Sequence, residues 1–387
     1  MVYTQLMKIL FVHPNLSRYA YKQIYALSKK EGIETYLLCG KLDVSVYNIN
    51  YLKESCQKIW QDLPTLRYPY QYRFVTKKIR SIIDEHKIDL IHVYSMPDDL
   101  TVAAIKSESA PVVFCLRDLT STFSKDLLAS RVFPQKIISN KLLGTIPKYI
   151  VYKYVLSMEK KAMEKSSARV FSTPCMLEYA QNRYKIKNDN LIFLNFILKE
   201  ELPSLTREKI SEKIGGVHIG FAGNINIFDS YRNFLPFFVK LAKEKIHVHM
   251  HVVSKDRKSL FACKEAAGKN EYLHFYPPMD PPKMMDALTL YDFGILPFEN
   301  EQNYYDTILP NKLFDYISAG VPIITSNVHC IKEFIAEHNL GFYYNDFDDL
   351  IVKLKTVTAT DFKIDRSEFF IDKHLEKLIT FYERLGG

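Results

Sequence analysis

Short unbroken apolar runs alternate along this chain with longer stretches whose apolar residues recur at helical spacing. The run MKILFV, starting at Met7, has the makeup of a strand buried on both faces of a parallel sheet, and Arg18–Lys30 follows with helical periodicity. The same alternation continues through ETYLL (34–38), a helix across Phe74–His86, DLIHVY (89–94) and a helix across Asp98–Ser107. PVVFCL (111–116), a long helix from Lys148 to Ser167 and ARVFS (168–172) complete it. Strands alternating with helices in this way predict a doubly wound parallel sheet.

Between Lys199 and Gly216 the text turns charged and polar, with Pro203 and a pair of glycines, as a domain boundary does. Beyond it the alternation restarts. Strands are predicted at VHIGFA (217–222), HVHMHVV (247–253), YLHFY (272–276), DFGILPF (292–298), VPIIT (321–325) and GFYY (341–344). Helices fall near Tyr231–Lys245, Arg257–Gly268, Pro281–Leu290, Pro310–Ala319 and His329–His338. The expected organisation is a first Rossmann-like domain over 1–198, a linker over 199–216, a second Rossmann-like domain over 217–370, and a terminal amphipathic helix over 371–387 placed to return to the first domain. The fold class is α/β, two doubly wound domains facing across a cleft, and ligands of such sheets bind at the carboxyl ends of the strands.

The length of 387 residues and the 47% hydrophobic content suit two cores, which excludes a disordered chain. No apolar run is long enough to span a bilayer, and Thr4 and Gln5 interrupt any secretory core at the start, so a cytoplasmic location is expected. The six cysteines are scattered, with no spacing that suits zinc, and no metal site is expected. Neither first strand is followed by G-x-G-x-x-G; HPNLSR (13–18) and GNINIFDS (223–230) stand there instead, which disfavours a dinucleotide dehydrogenase.

The net charge of +8 is concentrated. Residues 122–166 hold nine Lys/Arg and three acidic residues, mixed with Phe123, Ile146, Tyr149 and Ile150. That mixture suits either a basic helical insertion lying on anionic lipid, at the inner face of a plasma membrane, or an ordinary insertion with a solvated face. Nucleic acid is not expected as a partner, since no recognised nucleic-acid module accompanies the basic residues.

The segment ILPNKLFDYISAGVPIITS (308–326) is the most informative for chemistry. Pro310 opens a helix and Gly320 closes it. The backbone N–H groups of about Asn311–Leu313 would then point to the strand ends, where a helix start holds phosphate. Lys312 opposes the helix dipole there, at a cost of a few tenths of a kcal/mol, which makes better sense if an anion binds. Asp315 could accept both hydroxyls of a ribose. A plain helix connection with a solvated Lys and Asp has the same local pattern.

The chain as a whole resembles a known family. P-x-K-x-x-[Glu/Asp]-Tyr followed by Ala-Gly-x-Pro-[Val/Ile]-[Val/Ile] is similar to the donor-binding signature of GT-B glycosyltransferases of the family 4 type. IGFAGNI (219–225), HFYPPMDPPKMMDALTLYDFGILPF (274–298), DLIHVYS (89–95) and LRDL (116–119) carry further resemblance. It implies that Asp315 is the ribose ligand, that Pro310, Asn311, Lys312 and Leu313 form the diphosphate-binding helix start, and that Gly223 and Asn195 belong to the donor side. Several positions depart from the family. Thr307 stands where its Glu-x7-Glu would begin, Asn224 replaces an Arg, and the later Lys falls near Asp229, with Arg232 as a substitute cation. Tyr94, two residues after His92, takes the place of a strand-end His and so joins Asp118 and Arg117 as a catalytic candidate.

On the acceptor side, Asp118 at the end of PVVFCL, beside Arg117, is the leading candidate to orient a hydroxyl, and the same two residues suit a structural ion pair. His13 and Asn15 follow the first strand. Tyr304 or Tyr305, in the loop after Glu299, could stack on a base. The resemblance implies a retaining transferase with neither cofactor nor metal, moving a sugar from a nucleotide diphosphate donor to a glycan or lipid-linked acceptor in surface polysaccharide assembly. The alternative is a catalytically silent subunit of the same fold that binds a partner transferase or a glycan.

Overall fold

The computed structural model describes residues 6–14, 16–40, 42, 49–63, 72–95, 98–130, 145–186, 189–204, 208–229, 231–254, 256–298 and 304–386. The chain forms two compact units, one of Met1–Phe196 with Ile371–Gly387 and one of Ile197–Phe370.

The first unit is built on a seven-stranded sheet of order β3-β2-β1-β4-β5-β6-β7. The strands are β1 (Met7–His13), β2 (Ile33–Cys39), β3 (Cys56–Trp60), β4 (Leu90–Tyr94), β5 (Val112–Leu116), β6 (Ala168–Phe171) and β7 (Asn190–Ile192). All pairings are parallel. The central strands β4 and β5 are buried along their whole length, which is why their sequences are unbroken apolar runs. The edge strands read differently: CQKIW in β3 exposes Gln57 and Lys58, and β7 is three residues long. Neither has the apolar run by which a strand is recognised.

The terminal helix, Leu375–Gly386, packs on this unit through polar as well as apolar contacts. The Tyr382 hydroxyl lies 2.7 Å from His92 Nδ1, with both side chains fully buried. Phe196 stacks on His374 at 3.8 Å, and Lys30 pairs with Glu376 at 3.1 Å. Burial holds the His92 imidazole neutral, down to about 3, with His13 adding a smaller push.

The second unit has a six-stranded sheet of order β10-β9-β8-β11-β12-β13. These are β8 (His218–Gly223), β9 (His247–Val252), β10 (Leu273–Tyr276), β11 (Phe293–Leu296), β12 (Ile323–Ser326) and β13 (Gly341–Tyr344), again all parallel. The stretch 199–216, expected as a linker, is partly built into this unit. Lys209 Nζ donates to the carbonyls of Thr289 (2.9 Å) and Tyr291 (2.7 Å), and the short helix Ile210–Ile214 starts with an Ile210 N–H bond to Leu290 O at 3.0 Å.

The alternation H-V-H-M-H in β9 sends His247, His249 and His251 to one face of the sheet and Val248 and Met250 to the other. Register brings His218 of β8 beside His247, and His274 of β10 beside His249. Their rings form a ladder: His218 on His247 at 4.2 Å, His249 on His274 at 4.4 Å, Tyr291 on His249 at 4.3 Å and Tyr276 on His251 at 4.5 Å. His218 Nδ1 and His249 Nε2 are 2.9 Å apart, so one must donate and the other accept. Burial pushes the pKa of His247 and His251 down to about 4 and that of His249 to about 2; His274 is also lowered.

These histidines fold neutral and would gain protons on unfolding, so their contribution is complete above pH 6.5 and declines as pH falls from 6.5 toward about 4. The melting temperature of the second unit should therefore drop steeply over that window. A His249→Phe, His251→Phe variant should show a shallower drop, and an unchanged slope would remove the ladder as its cause.

Candidate functional site

Within the second unit, the helix Asn311–Ala319 begins at Pro310 (φ −69°, ψ 152°) and ends at Gly320, whose φ of 66° is the left-handed conformation glycine adopts without strain. Its start has no side-chain cap and no acidic residue in the first turn. Of the three amides expected to face an anion, that of Leu313 instead donates to Pro310 O at 3.0 Å. The Leu313 side chain is fully buried and serves packing.

Lys312 folds back across the end of β8. A Cβ on Gly223 would lie 2.0 Å from Lys312 Cε and 2.5 Å from Nζ, so the lysine occupies the space that any other residue at 223 would fill. Its ammonium sits 4.3 Å from the ring centre of Phe221, 5.5 Å from Phe234 and 6.0 Å from Phe298. Cation–π contact returns about 0.5–2 kcal/mol to a desolvated cation, less than desolvation costs it. The pKa accordingly falls from 10.5 to about 7; burial is the main cause, the positive charge of Arg232 the second, and Asp315 acts in the opposite sense. Arg232 is exposed and Asp315 half-buried.

The remaining donor-side candidates are placed as follows. Asn224 continues from Gly223, and its side-chain oxygen is shielded from solvent with no hydrogen-bond partner among the described residues. Asn195 is buried, but in the first unit, whereas the other donor candidates are in the second. Thr307 is buried, its hydroxyl donating to Tyr304 O at 3.1 Å. Tyr305 is a packing residue rather than a free platform: it is buried, stacked on Phe298 at 4.2 Å, and its hydroxyl donates to Tyr231 O at 2.8 Å. Tyr304 is the more accessible of the two, and Glu299 lies outside the described residues.

In the first unit, the carboxyl ends of β1, β4 and β5 bring His13, Tyr94, Ser95 and Arg117 together. Arg117 is held from three sides: its amide donates to Ser95 Oγ (3.0 Å), its Nη1 to Ser17 Oγ (3.2 Å), and its guanidinium lies 4.4 Å over Tyr19. Ser17 also caps the following helix by accepting from the Ala20 amide. Asp118 follows, half-buried.

Two acceptor-side expectations change. Tyr94 is fully buried, its hydroxyl donating to Gln23 Oε1 at 2.6 Å, with His92, His13 and Tyr19 packed around its ring, so it is a core residue and not a catalytic one. His13 is 6% exposed, and burial, aided by Arg117, holds its pKa down to about 3, too low for proton exchange near neutrality. Asn15 lies outside the described residues. Among the described residues no cluster of His, Cys, Asp or Glu could hold a metal ion, and no helix is long and apolar enough to cross a membrane.

The phenyl rings around Lys312 and the serine contacts of Arg117 leave little trace in the sequence. Only the apolar side chains flanking Gly223 and Pro297 hinted at the first, and only a Ser preceding a helical run at the second.

Residues 237–367, all within the second unit, match the family of the glucosyltransferase 3-like C-terminal domain. No curated protein sequence matches the chain. Among solved structures, a glycosyltransferase from Rickettsia africae is similar over 98% of both chains, with a TM-score of 0.68 and 15% identity. Sucrose-phosphate synthase from Thermosynechococcus elongatus is similar over 98% of this chain and 99% of its own, at a TM-score of 0.69 and 11% identity. HepE of Anabaena, in complex with UDP-glucose, is similar over 97% and 99%, at 0.64 and 11%. Likeness at such identities is one of fold, and the fold is that of GT-B glycosyltransferases.

An anion that binds beside Lys312 favours its charged form and so brings a proton with it. A nucleoside diphosphate should bind more tightly at about pH 6 than at about pH 8.5, since Lys312 titrates between them, and calorimetry in buffers of different ionisation heat should detect the proton taken up. Gly223→Ala, which displaces the lysine, should abolish that pH dependence; its persistence would assign it to another group.

Proposed function

We propose that the protein is a glycosyltransferase that takes its sugar from a nucleoside diphosphate donor held on the second unit. The observation that carries this reading is Lys312, a half-buried ammonium packed on Gly223 at an acid-free helix start, with Arg232 near enough to depress its pKa. Two cations, one of them partly desolvated, leave a positive site that a diphosphate would neutralise. Asp315, one turn along the helix, would take the ribose hydroxyls, and the HepE complex makes uridine diphosphate glucose the first donor to try.

Departure of the nucleotide leaves negative charge on the diphosphate. The helix start, Lys312 and Arg232 would stabilise it as preorganised positive groups. Asp118, at the carboxyl end of β5, would orient or deprotonate the acceptor hydroxyl, and the fixed guanidinium of Arg117 would position the loop that carries it. Retention of configuration rests on the resemblance of the Pro310 segment to family 4 enzymes, and a glycan or lipid-linked acceptor on the same resemblance. The buried Thr307, where such enzymes have a carboxylate, favours the second reading of a silent subunit that binds a partner, and transfer or hydrolysis of any nucleotide sugar would exclude it.

Asp315→Ala and Lys312→Ala should each weaken nucleotide-sugar binding by roughly ten- to a hundredfold with the fold intact, the worth of a charged hydrogen-bond partner. Unchanged calorimetric affinity in both would remove the donor site. Asp118→Asn should leave donor binding alone and lower turnover about a hundredfold or more; a lowered melting temperature with normal turnover would make Asp118 structural.

The helix Thr145–Lys165 supports a further element of this reading, peripheral attachment to an anionic membrane. Ile146, Tyr149 and Ile150, spaced to share one face, are 68%, 53% and 60% exposed, and Lys153 Nζ lies 5.4 Å over Tyr149. Ile146→Glu with Ile150→Glu should release the protein from anionic vesicles at low salt. Failure of the unaltered protein to co-sediment with such vesicles would end the membrane assignment.

A further inference from the structure

The first unit has a groove of about 720 Å³ between the helices Asp99–Ile105 and Thr145–Lys165, well within the size of ligand sites. Val102, Ile105 and Met158 make its floor. Its rim carries Lys106, Lys161 and Lys165 against a single carboxylate, Glu108. Helices that join parallel strands run back from the carboxyl to the amino edge of the sheet. The lysines lie in or just past the last turns of these helices, at the edge opposite the one that carries His13 and Arg117. The groove is separate from the donor-side and acceptor-side candidates, although it shares the helix Thr145–Lys165 with the exposed face of Ile146, Tyr149 and Ile150.

Two features set it apart from a solvated helix face. Among the described residues Lys161 and Lys165 have no carboxylate within ion-pair distance, although their neighbour Lys160 pairs with Glu164 at 4.0 Å. Beside these unneutralised charges lies apolar surface, for Ile105 and Met158 are only half-buried. Tyr154 forms a fixed wall, its hydroxyl donating to Asp99 Oδ2 at 3.1 Å.

A small inorganic anion would neutralise the lysines and leave the floor wet. A neutral detergent would cover the floor and leave the charges as they are. One molecule that answers both is an aliphatic chain ending in a phosphate. We infer that this groove is a binding site for a single-chain lipid phosphate, its chain on Val102, Ile105 and Met158 and its phosphate among Lys106, Lys161 and Lys165. The site is independent of the donor reading, since it shares no residue with it.

The probe is decyl phosphate, titrated calorimetrically below its micellar concentration into the full chain, with inorganic phosphate and decyl maltoside as half-ligands. Saturable binding at one site is expected, about tenfold or more tighter than either half-ligand, because charge and apolar burial each contribute. Lys161→Ala with Lys165→Ala should weaken it about tenfold or more, and Met158→Glu should do the same from the apolar side, both at an unchanged melting temperature. Equal binding of inorganic phosphate would reduce the site to an anion site and overturn the proposal. So would binding to anionic vesicles without binding of decyl phosphate, which would make the groove part of a membrane-facing surface. The lysines also complement the helix dipoles. If the lysine variant lowers the melting temperature while decyl phosphate binds as before, that is their whole role, and the inference fails.

Discussion

Parallel pairing of all the strands is the constraint on which the rest of the structure depends. A parallel strand cannot return by a tight turn, so each is followed by a crossover, and every crossover leaves from the same edge of its sheet. The order β1-β4-β5 makes neighbours of three strand ends distant in sequence, and His13, Ser95 and Arg117 meet for that reason. In the second unit β8, β11 and β12 are neighbours in the same way. Gly223, Phe298 and the helix that opens at Pro310 are therefore delivered to one edge, where the lysine of one connection rests on the glycine of another.

The protein buries titratable groups in two contrasting ways. His247, His249 and His251 of the ladder, and His13 and His92 in the first unit, are rings packed among other rings in neutral form, and they lack in the fold the charge they would carry on unfolding in mild acid. Lys312 has no such neutral role. Its ammonium faces phenyl rings and a second cation, with Asp315 as a partial counterweight, and it stays near the point where it would lose its proton. Groups of the first kind are explained by the fold alone, whereas a cation held this way is the kind of group that the proposed diphosphate would neutralise.

Arg117 shows how a polar residue at a strand end becomes a fixture. Ser17, Ser95 and the face of Tyr19 each take one part of it, so its position is set before any substrate arrives. Under the proposed function, such preorganisation would spare the neighbouring Asp118 carboxylate an ordering step. Tyr94, one strand over, has the same topological position, yet it points into the interior, where Gln23 satisfies its hydroxyl.

Much of this was legible in the order of the residues. Central strands such as LIHVY and VVFCL are recognisable because burial on both faces demands an unbroken apolar run, and the helix from Pro310 to Gly320 because its two ends demand those residues. The helix Pro174–Arg183 was equally marked, by Thr173 as its cap and Pro174 in its first turn, although its weak periodicity hid it. Local chemistry of this kind depends only on neighbours in sequence, and the sequence by itself determined the α/β alternation, the parallel sheets and the helix start at Pro310. It could not determine which side of a strand end faces water. Tyr94 and Arg117, His13 and Asp118 all lie at or just after strand ends, and only packing decided that one is core, one is clamped, one is held neutral and one reaches solvent. The same is true of Lys312, whose lowered pKa comes from Phe221, Phe234, Phe298 and Arg232, residues that become its neighbours only when the sheet has formed, because desolvation and charge act through space and not along the chain.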